Sequence, residues 1–202
     1  MKLYSYVVAR DFGFAPNPFW GTCSLATCKP MIRKNAEVDD WVVGTGSRRY
    51  SMDGHIIYAM KVNEVRTFEE YWVDKLFSQK RPNLHASLKQ AFGDNIYHRN
   101  PNNNHWIQEN SHHSLPDGRP NVENLRHDTQ VNRVLLGTEF VYWGATGIRI
   151  PSRYRHYAGH DICTVYQGHK SNFPTDLVEL FVKWIESQGL KGYIGQPCEF
   201  PT

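Results

Sequence analysis

Alternation between hydrophobic and polar positions divides the chain into several short strands and a few helices. Residues 3–9, LYSYVVA, are rich in tyrosine and valine and predict a first strand. The same signals predict further strands over 41–44, 55–65, 132–137, 139–144 and 160–168. A tight turn at Gly137 and Thr138 joins two of these β segments.

Helical periodicity occurs at three places. Thr67 and Glu70 have the spacing of a capping box and predict a helix that lies on a core. Its core-facing positions are Phe68, Trp72 and Leu76. A second helix is predicted to begin at Asn83 and to end at Gly93, with Leu84, Leu88 and Phe92 on one face. The clearest helix ends before Gly189 and has the apolar stripe Leu177, Leu180, Phe181, Trp184 and Ile185.

Strands therefore outnumber helices and do not alternate regularly with them. This pattern predicts an α+β fold with a small mixed or antiparallel sheet, curled or closed, and helices packed outside. No dinucleotide-binding or P-loop glycine spacing is present. The 202 residues fit one domain, 1–202, with long polar loops over 10–30 and 97–130.

Composition and charge narrow the function classes. The net charge of +3 is below the basic bias of an obligate duplex binder. Arg48 and Arg49 are adjacent, and either a phosphate contact or a solvated face explains them. Aromatic residues make up 13% of the chain and supply both core and stacking faces for flat ligands.

The four cysteines do not form a disulfide framework in a chain of this length. Cys23 and Cys28 lack the tighter spacing of a zinc pair, so no metal site is predicted. The N-terminus turns polar too soon for a signal peptide, and no apolar run approaches roughly 18 residues. We therefore expect a cytoplasmic, reduced protein that is not embedded in a membrane.

Three polar loops, over 10–30, 45–54 and 97–118, make a pocket if they converge at one mouth of the sheet. Arg10 and Asp11 end the first strand, either as a functional pair or as an ion pair that fixes the loop. The first loop also offers the ligand candidates Asn17, Trp20 and Lys29. Thr45, Ser47 and Arg48 belong to the second loop, where glycines let backbone N–H groups approach a phosphate or simply form a turn.

The third loop contains HRNPNNNHWIQENSHHSLPDG, which has almost no aliphatic side chains. Its amides suit the hydrogen-bonding edge of a base and its tryptophan offers a stacking face. The ligand candidates there are Asn100, Trp106, Gln108, Asn110 and His113. A buried polar network that staples a long loop would use the same residues, so both interpretations stay open.

Acid–base candidates are Asp11, His112 and Asp128. His112 and His113 are adjacent and would face opposite ways in a strand, so at most one of them is expected in a site. Asp128 suits a carboxylate that orients a histidine. No nucleophile motif of the G-x-S-x-G or H-E-x-x-H kind is present, although triads are assembled in space.

The segments ARDFGFAPNPF, TCKP and FVYWG resemble the nucleotide modification associated domain 2 family over nearly the whole chain. The resemblance implies a bacterial or phage protein linked to DNA base modification. The layout of residues 32–46 and 54–65 is similar to PUA-like folds of the ASCH and EVE type. Asp39 and Asp40 stand where such families have Gly-Asp. This second resemblance implies a pseudobarrel whose mouth binds a base or nucleotide.

These observations favour a protein that binds a nucleic acid or nucleotide and recognises a base, which is possible without strong net charge. Stacking candidates are Trp20, Trp41, Trp106, Tyr142 and Trp143. The alternative is an enzyme that acts on a base or nucleotide by Asp/His acid–base catalysis. A protein-interaction domain with an apolar patch is the third hypothesis. The residues indicate no particular cofactor and no particular oligomeric state.

Overall fold

The computed structural model describes residues 1–163 and 168–201. Its strands are β1 Leu3–Val7, β2 Cys23–Leu25, β3 Trp41–Thr45, β4 His55–Lys61, β5 Glu64–Arg66, β6 Tyr97–Arg99, β7 Trp106–Gln108, β8 Val134–Gly137, β9 Phe140–Tyr142, β10 Ile148–Arg149 and β11 Gly192–Tyr193. Its α-helices are α1 Pro30–Asn35, α2 Phe68–Val73, α3 Leu88–Ala91, α4 Val122–Thr129, α5 Ser152–Arg155 and α6 Thr175–Ser187. The α+β class is confirmed.

The chain forms two compact units. Unit 1 consists of Met1–Asp11, Ala36–Asn63 and Gly137–Thr202, and unit 2 consists of Phe12–Asn35 and Glu64–Leu136. The predicted long strand over 55–65 is divided accordingly, because β4 and β5 belong to different sheets.

Unit 1 is built on a six-stranded mixed sheet in the order β1-β3-β4-β9-β11, with β10 also paired to β4. The pairs β1–β3 and β9–β11 are parallel, whereas β3–β4 and β4–β9 are antiparallel. Helix α6 buries Leu177, Phe181 and Ile185 in the core of this unit, as its stripe predicts. Leu180 of the same stripe remains 46% exposed.

Unit 2 contains a three-stranded sheet in the order β2-β8-β5 and a hairpin of β6 and β7. Its core includes Phe14, Phe68, Tyr71 and Tyr97. Strand β2 lies within 10–30, and the β6–β7 hairpin lies within 97–118. Two segments predicted to be polar loops therefore contain β-strands. None of the sheets formed by the described residues closes into a barrel, so the PUA-like pseudobarrel is not confirmed.

The two helices predicted after β5 are shorter than their patterns suggest. The capping box of Thr67 and Glu70 is confirmed, but α2 ends at Val73. Asp74 then accepts a hydrogen bond from Leu76 N and starts a 3-10 turn, which leaves the Leu76 side chain 71% exposed. The cap predicted at Asn83 is wrong: Ser87 caps α3 instead, and Asn83 forms a turn by accepting from His85 N at 3.1 Å.

The strand expected over 160–168 falls partly on 164–167, which lie outside the described residues. Within 1–163 and 168–201, no helix has both the length and the apolar character needed to span a bilayer.

Candidate functional site

Cys28 lies in the turn between β2 and α1 of unit 2, and its side chain is half-buried. Cys28 and Lys29 have φ values of 56° and 40°, a left-handed conformation that is uncommon for residues with a Cβ atom. The backbone is held on both sides, because Arg33 Nε donates to Cys28 O at 3.0 Å and Cys28 N donates to Asp128 Oδ1 at 2.8 Å. The turn therefore fixes the position of the thiol.

Arg33 joins α1 to the end of α4. Its side chain is fully buried, and burial lowers the pKa of its guanidinium to about 10. It donates hydrogen bonds to the backbone carbonyls of Cys28, Asp128, Val131 and Arg133. Because one rigid fork binds carbonyl groups from the Cys28 turn and from the end of α4, the relative position of Cys28 and Asp128 is fixed.

Asp128 is the buried acceptor at the centre of the site. Helix α4 positions it after a cap in which Asn121 Oδ1 accepts from Glu123 N and Asn124 N. Tyr97 Oη donates to Asp128 Oδ2 at 2.9 Å. Burial alone would raise the pKa of the Asp128 carboxyl, but its hydrogen bond with His113 and nearby positive charge lower it below its usual range.

His113 lies between the thiol and the carboxylate. Its Nδ1 is 2.9 Å from Asp128 Oδ2, and its Nε2 is 3.6 Å from Cys28 Sγ. Burial lowers the pKa of His113, but the hydrogen bonds to Asp128 and Cys28 outweigh that effect and raise it to about 9. At neutral pH the imidazole is therefore protonated, and its positive charge lies beside the Cys28 sulfur.

Polar side chains of the third loop and of α4 hold His113 in place. Gln108 Nε2 and Asn124 Nδ2 donate to His113 O at 3.1 and 2.9 Å. Ser111 Oγ accepts from His113 N at 3.3 Å. An amide side chain of this loop therefore bonds to the loop's own backbone. This agrees with one of the two interpretations of the sequence, a polar network that holds a long loop in place.

Cys28, His113 and Asp128 each offer a metal-ligand atom within 4.8 Å of the others. His113, however, turns Nε2 toward the thiol and Nδ1 toward the carboxylate, which are different edges of one ring. An ion bound to Sγ and Nε2 would leave Asp128 as the orienting partner of the histidine. Two protein ligands are fewer than a zinc site normally uses. The geometry fits better a set of three interacting side chains, Cys28, His113 and Asp128, which we call the relay.

An aromatic wall lies beside the relay; we give this name to Phe12, Phe14, Phe92 and His112. Phe14 contacts the His113 ring at a centroid distance of 4.6 Å. Phe12 stacks on Phe92 at 4.9 Å, and both contact His112. Phe12 and Phe92 are half-buried and His112 is exposed, so the wall reaches the surface of unit 2.

The structure places other candidates of unit 2 away from the relay. Asn17 is buried and bonded to Lys80 Nζ through its Oδ1 at 2.7 Å. Asn100 forms a turn, with its Oδ1 accepting from Asn102 N. Trp106 lies under the guanidinium of Arg99, whose Cζ is 4.1 Å from the ring centroid.

Three further candidates of unit 2 lie nearer the surface. Trp20 is 40% exposed and has a φ of 65°. Lys29 follows Cys28 in the strained turn, and burial lowers the pKa of its amine. Asn110 lines an open groove of about 400 Å³, and the groove is completed by Trp72, Arg81, Pro82, Asn83, Leu84, His85 and Glu109.

The candidates of unit 1 have mainly structural partners. Asp11 is buried, and it accepts hydrogen bonds from Tyr142 Oη and, at 3.1 Å, from Cys198 N. Arg10 is exposed and pairs with Glu199 at 3.2 Å. These contacts tie both side chains to the segment Gly137–Thr202 of unit 1.

The second loop also belongs to unit 1. Thr45 is buried, and its hydroxyl donates to Tyr6 O at 3.2 Å. Ser47 is buried before the 3-10 turn Arg48–Tyr50, and Arg48 is exposed on that turn. Three of the stacking candidates, Trp41, Tyr142 and Trp143, are 5% exposed or less and belong to the interior of unit 1.

Cys28 is the residue that sequence reasoning missed. It is separated from His113 by 85 residues, and His113 from Asp128 by 15, so no local motif connects them. Sequence reasoning missed Tyr97 and Arg33 for the same reason, since each contacts Asp128 from a position distant in sequence. The one local signal is the strand–turn–helix order around TCKP, with Pro30 at the first position of α1.

The comparisons with known proteins identify a family and nothing closer. The family model described as nucleotide modification associated domain 2 matches residues 1–202. No curated protein and no solved structure matches the chain.

Proposed function

The chain belongs to the nucleotide modification associated domain 2 family, and from this premise we propose that unit 2 is a thiol-based enzyme acting on a nucleotide or nucleobase. Cys28 is the nucleophile, His113 the acid–base group and Asp128 the carboxylate that positions the histidine. One observation carries the proposal: His113 contacts Cys28 Sγ through Nε2 at 3.6 Å and Asp128 Oδ2 through Nδ1 at 2.9 Å. Nucleophile, base and orienting group are the three parts of covalent catalysis by side chains.

The charges of His113 and Asp128 support these roles. The Cys28 thiolate attacks an electrophilic carbon of the substrate, and the His113 imidazolium then donates its proton to the group that becomes negative. The buried Asp128 carboxylate stabilises the imidazolium and fixes the ring orientation. The enzymatic hypothesis from the sequence is thereby retained, with Cys28 added and His113 in place of His112.

A nucleic acid or a free nucleotide is the partner, and the family premise supports it. All four cysteines are free thiols, which fits a reducing compartment such as the cytoplasm. A PUA-like relationship is supported only by the antiparallel pairing of β3 and β4 after α1.

Recognition of a base without turnover is the second candidate function. The open groove of unit 2 favours it, because that groove combines the ring of Trp72 with amides of Asn83 and Asn110. His98 already stacks on Trp72 at 4.0 Å, so a bound base would use the edge groups more than this ring. Base binding that is undiminished in Cys28→Ser, with no modified product, would favour this candidate.

The test of the thiol site is the rate of alkylation of each cysteine by iodoacetamide, mapped by peptide mass spectrometry across the neutral pH range. Cys28 should react fastest, and His113→Ala should slow it roughly tenfold or more at neutral pH, because the imidazolium no longer favours the thiolate. His105→Ala is the matched control, since His105 is exposed in the same loop region. Cys198→Ser should leave the rate at Cys28 unchanged.

Two results would overturn the proposal. One is a Cys28 that reacts no faster than Cys198, whose thiol pKa is raised to about 12, chiefly by burial. The other is a rate at Cys28 that His113→Ala does not change. Repeating the assay with a chelator separates the relay from a metal site, because only a bound ion would make the rate sensitive to chelation.

A further inference from the structure

The backbone N–H of Cys28 limits the chemistry that the proposed thiol site supports. In acyl transfer, the oxyanion forms beside the nucleophile and is stabilised by backbone N–H groups, often including that of the nucleophile itself. Here Cys28 N donates to Asp128 Oδ1 at 2.8 Å. The nearest donor is thus committed to the carboxylate, which disfavours a substrate that localises its negative charge on one oxygen at that position.

A conjugated ring does not have this requirement. When a thiolate adds to a carbon–carbon double bond of a heteroaromatic ring, the negative charge spreads through the ring, and a proton from a nearby acid neutralises it. His113 is such an acid, with its Nε2 3.6 Å from Cys28 Sγ. The relay therefore suits addition to a ring better than attack on an isolated carbonyl.

The aromatic wall supplies a surface for a flat substrate beside this acid. Phe14 contacts His113, and the half-buried Phe12 and Phe92 contact the exposed His112. Nucleobases are planar and stack on aromatic side chains.

We propose that Cys28 adds to C6 of a pyrimidine base that lies against the aromatic wall. The inference rests on the proposed function and names its substrate class. The thiolate pair forms the Sγ–C6 bond, the C5–C6 π pair moves to C5 and the adjoining C4 group, and His113 gives its proton to C5. The neutral imidazole then removes a proton from C5, and expulsion of the thiolate restores the ring.

This cycle is balanced without an oxidant or a second substrate, and it exchanges the hydrogen at C5 with solvent. Adding an electrophile would make the same adduct the starting point for substitution at C5. The shared chemistry is the pyrimidine ring, which either a free nucleotide or single-stranded DNA can present.

The test is proton NMR of dCMP, dUMP and a cytosine-containing single-stranded oligonucleotide in D₂O with the full chain. The H5 signal should disappear with wild-type protein and persist with Cys28→Ser, while purine H8 signals decay at the same rate with both proteins. Phe92→Leu, which keeps an apolar side chain but loses the flat ring, should raise the KM for exchange about fivefold or more, with Cys28 alkylation unchanged. His105→Ala is the matched control and should leave exchange unchanged.

The outcomes separate the two proposals. Exchange with nucleotides alone, or with the oligonucleotide alone, supports the inference and identifies the source of the base. No exchange with any pyrimidine, while Cys28 still alkylates fastest, overturns the pyrimidine assignment and leaves the thiol enzyme standing. Slow alkylation of Cys28 would remove both.

Discussion

Two buried carboxylates of unit 2, Asp94 and Asp128, are equally inaccessible to solvent and yet differ in charge behaviour. Burial raises the pKa of Asp94 above its ordinary value. For Asp128 the same effect is outweighed by the hydrogen bond with His113, and its pKa is lowered. The comparison shows that the partners, and not the depth of burial, decide in which direction the pKa of a hidden carboxyl moves.

The partners of Asp94 form a closed network within the core. Ser24 Oγ and Tyr71 Oη donate to its two oxygens at 2.7 and 2.8 Å. Lys80 donates to Ser24 Oγ at 3.0 Å and to both oxygens of Asn17. These five side chains are all buried, so the Asp94 network holds chain segments together and presents no group to a substrate.

The partners of Asp128 form a network that reaches the surface, both through His113 and through the exposed His127, whose Nδ1 is 3.1 Å from Asp128 Oδ1. Tyr97 Oη donates to the carboxylate and Arg33 donates to the backbone carbonyl of Asp128, while His113 leads to the half-buried thiol of Cys28. A buried polar network thus becomes a candidate site when its contacts reach a nucleophile near the surface.

The largest expected loss of stability comes from a substitution that disrupts the closed network of Asp94. Lys80→Met should lower the free energy of unfolding by roughly 3–5 kcal/mol, because it leaves Asp94 buried without its positive partner. Urea denaturation measures the loss. Lys75→Met, at the exposed start of the same 3-10 turn, is the matched control and should change little. A small effect of Lys80→Met would mean that the network is not a charged one.

The pH dependence of stability should distinguish the two networks. The pKa of His113 is about 9 in the folded chain against 6.5 for a free histidine, so the folded state binds more protons between these values. The contribution of His113 protonation to the free energy of unfolding is fully present below pH 6.5 and is lost as pH rises through 9. The loss is on the order of 3 kcal/mol. Denaturant titration at several pH values measures it, and His113→Gln should remove the decline.

Lys80 should act with the opposite sign. Burial lowers its pKa from 10.5 to about 8, so the unfolded state binds more protons between these values and stability rises with pH there. The decline caused by His113 is therefore best measured between pH 6.5 and 8. A stability curve that rises across that lower window would contradict the assignment to His113.

The smallest expected effect is that of removing the thiol. Cys28→Ala should change the free energy of unfolding by less than about 1 kcal/mol, since the sulfur is half-buried at the end of its network. Ser24→Ala, within the closed network, should cost about 1–3 kcal/mol because buried partners of its hydroxyl are left unsatisfied. Equal losses for the two variants, by thermal or urea unfolding, would erase the distinction between the networks.

Local signals account for what the sequence predicts correctly. The capping box at Thr67 and Glu70 and the stripe of α6 depend on residues three to eight positions apart, and both are confirmed. The Asn83 cap failed because an amide that can cap a helix can equally close a turn. The prediction of one continuous strand over 55–65 was wrong, because hydrophobic alternation does not show where the chain passes from one sheet to another.

The candidate site was only partly predictable for the same reason. His113 and Asp128 were selected by chemistry, yet the roles proposed for them depend on Cys28, which comes from the other segment of unit 2. The sequence also did not predict which aromatic residues are buried, as Trp41, Tyr142 and Trp143 are. An aromatic side chain is as suitable for a core as for stacking on a ligand.

The division of unit 1 into three segments has a consequence for synthesis of the chain. Unit 2 is complete once Leu136 has been made, whereas β1 must wait for Gly137–Thr202 before its unit can close. Because translation is slow relative to folding of a small domain, the nascent chain passes through a stage in which the thiol-bearing unit is assembled and the first strand still lacks its full sheet. A ribosome-stalled chain should therefore acquire the protease resistance of the inserted unit before that of the unit that surrounds it in sequence.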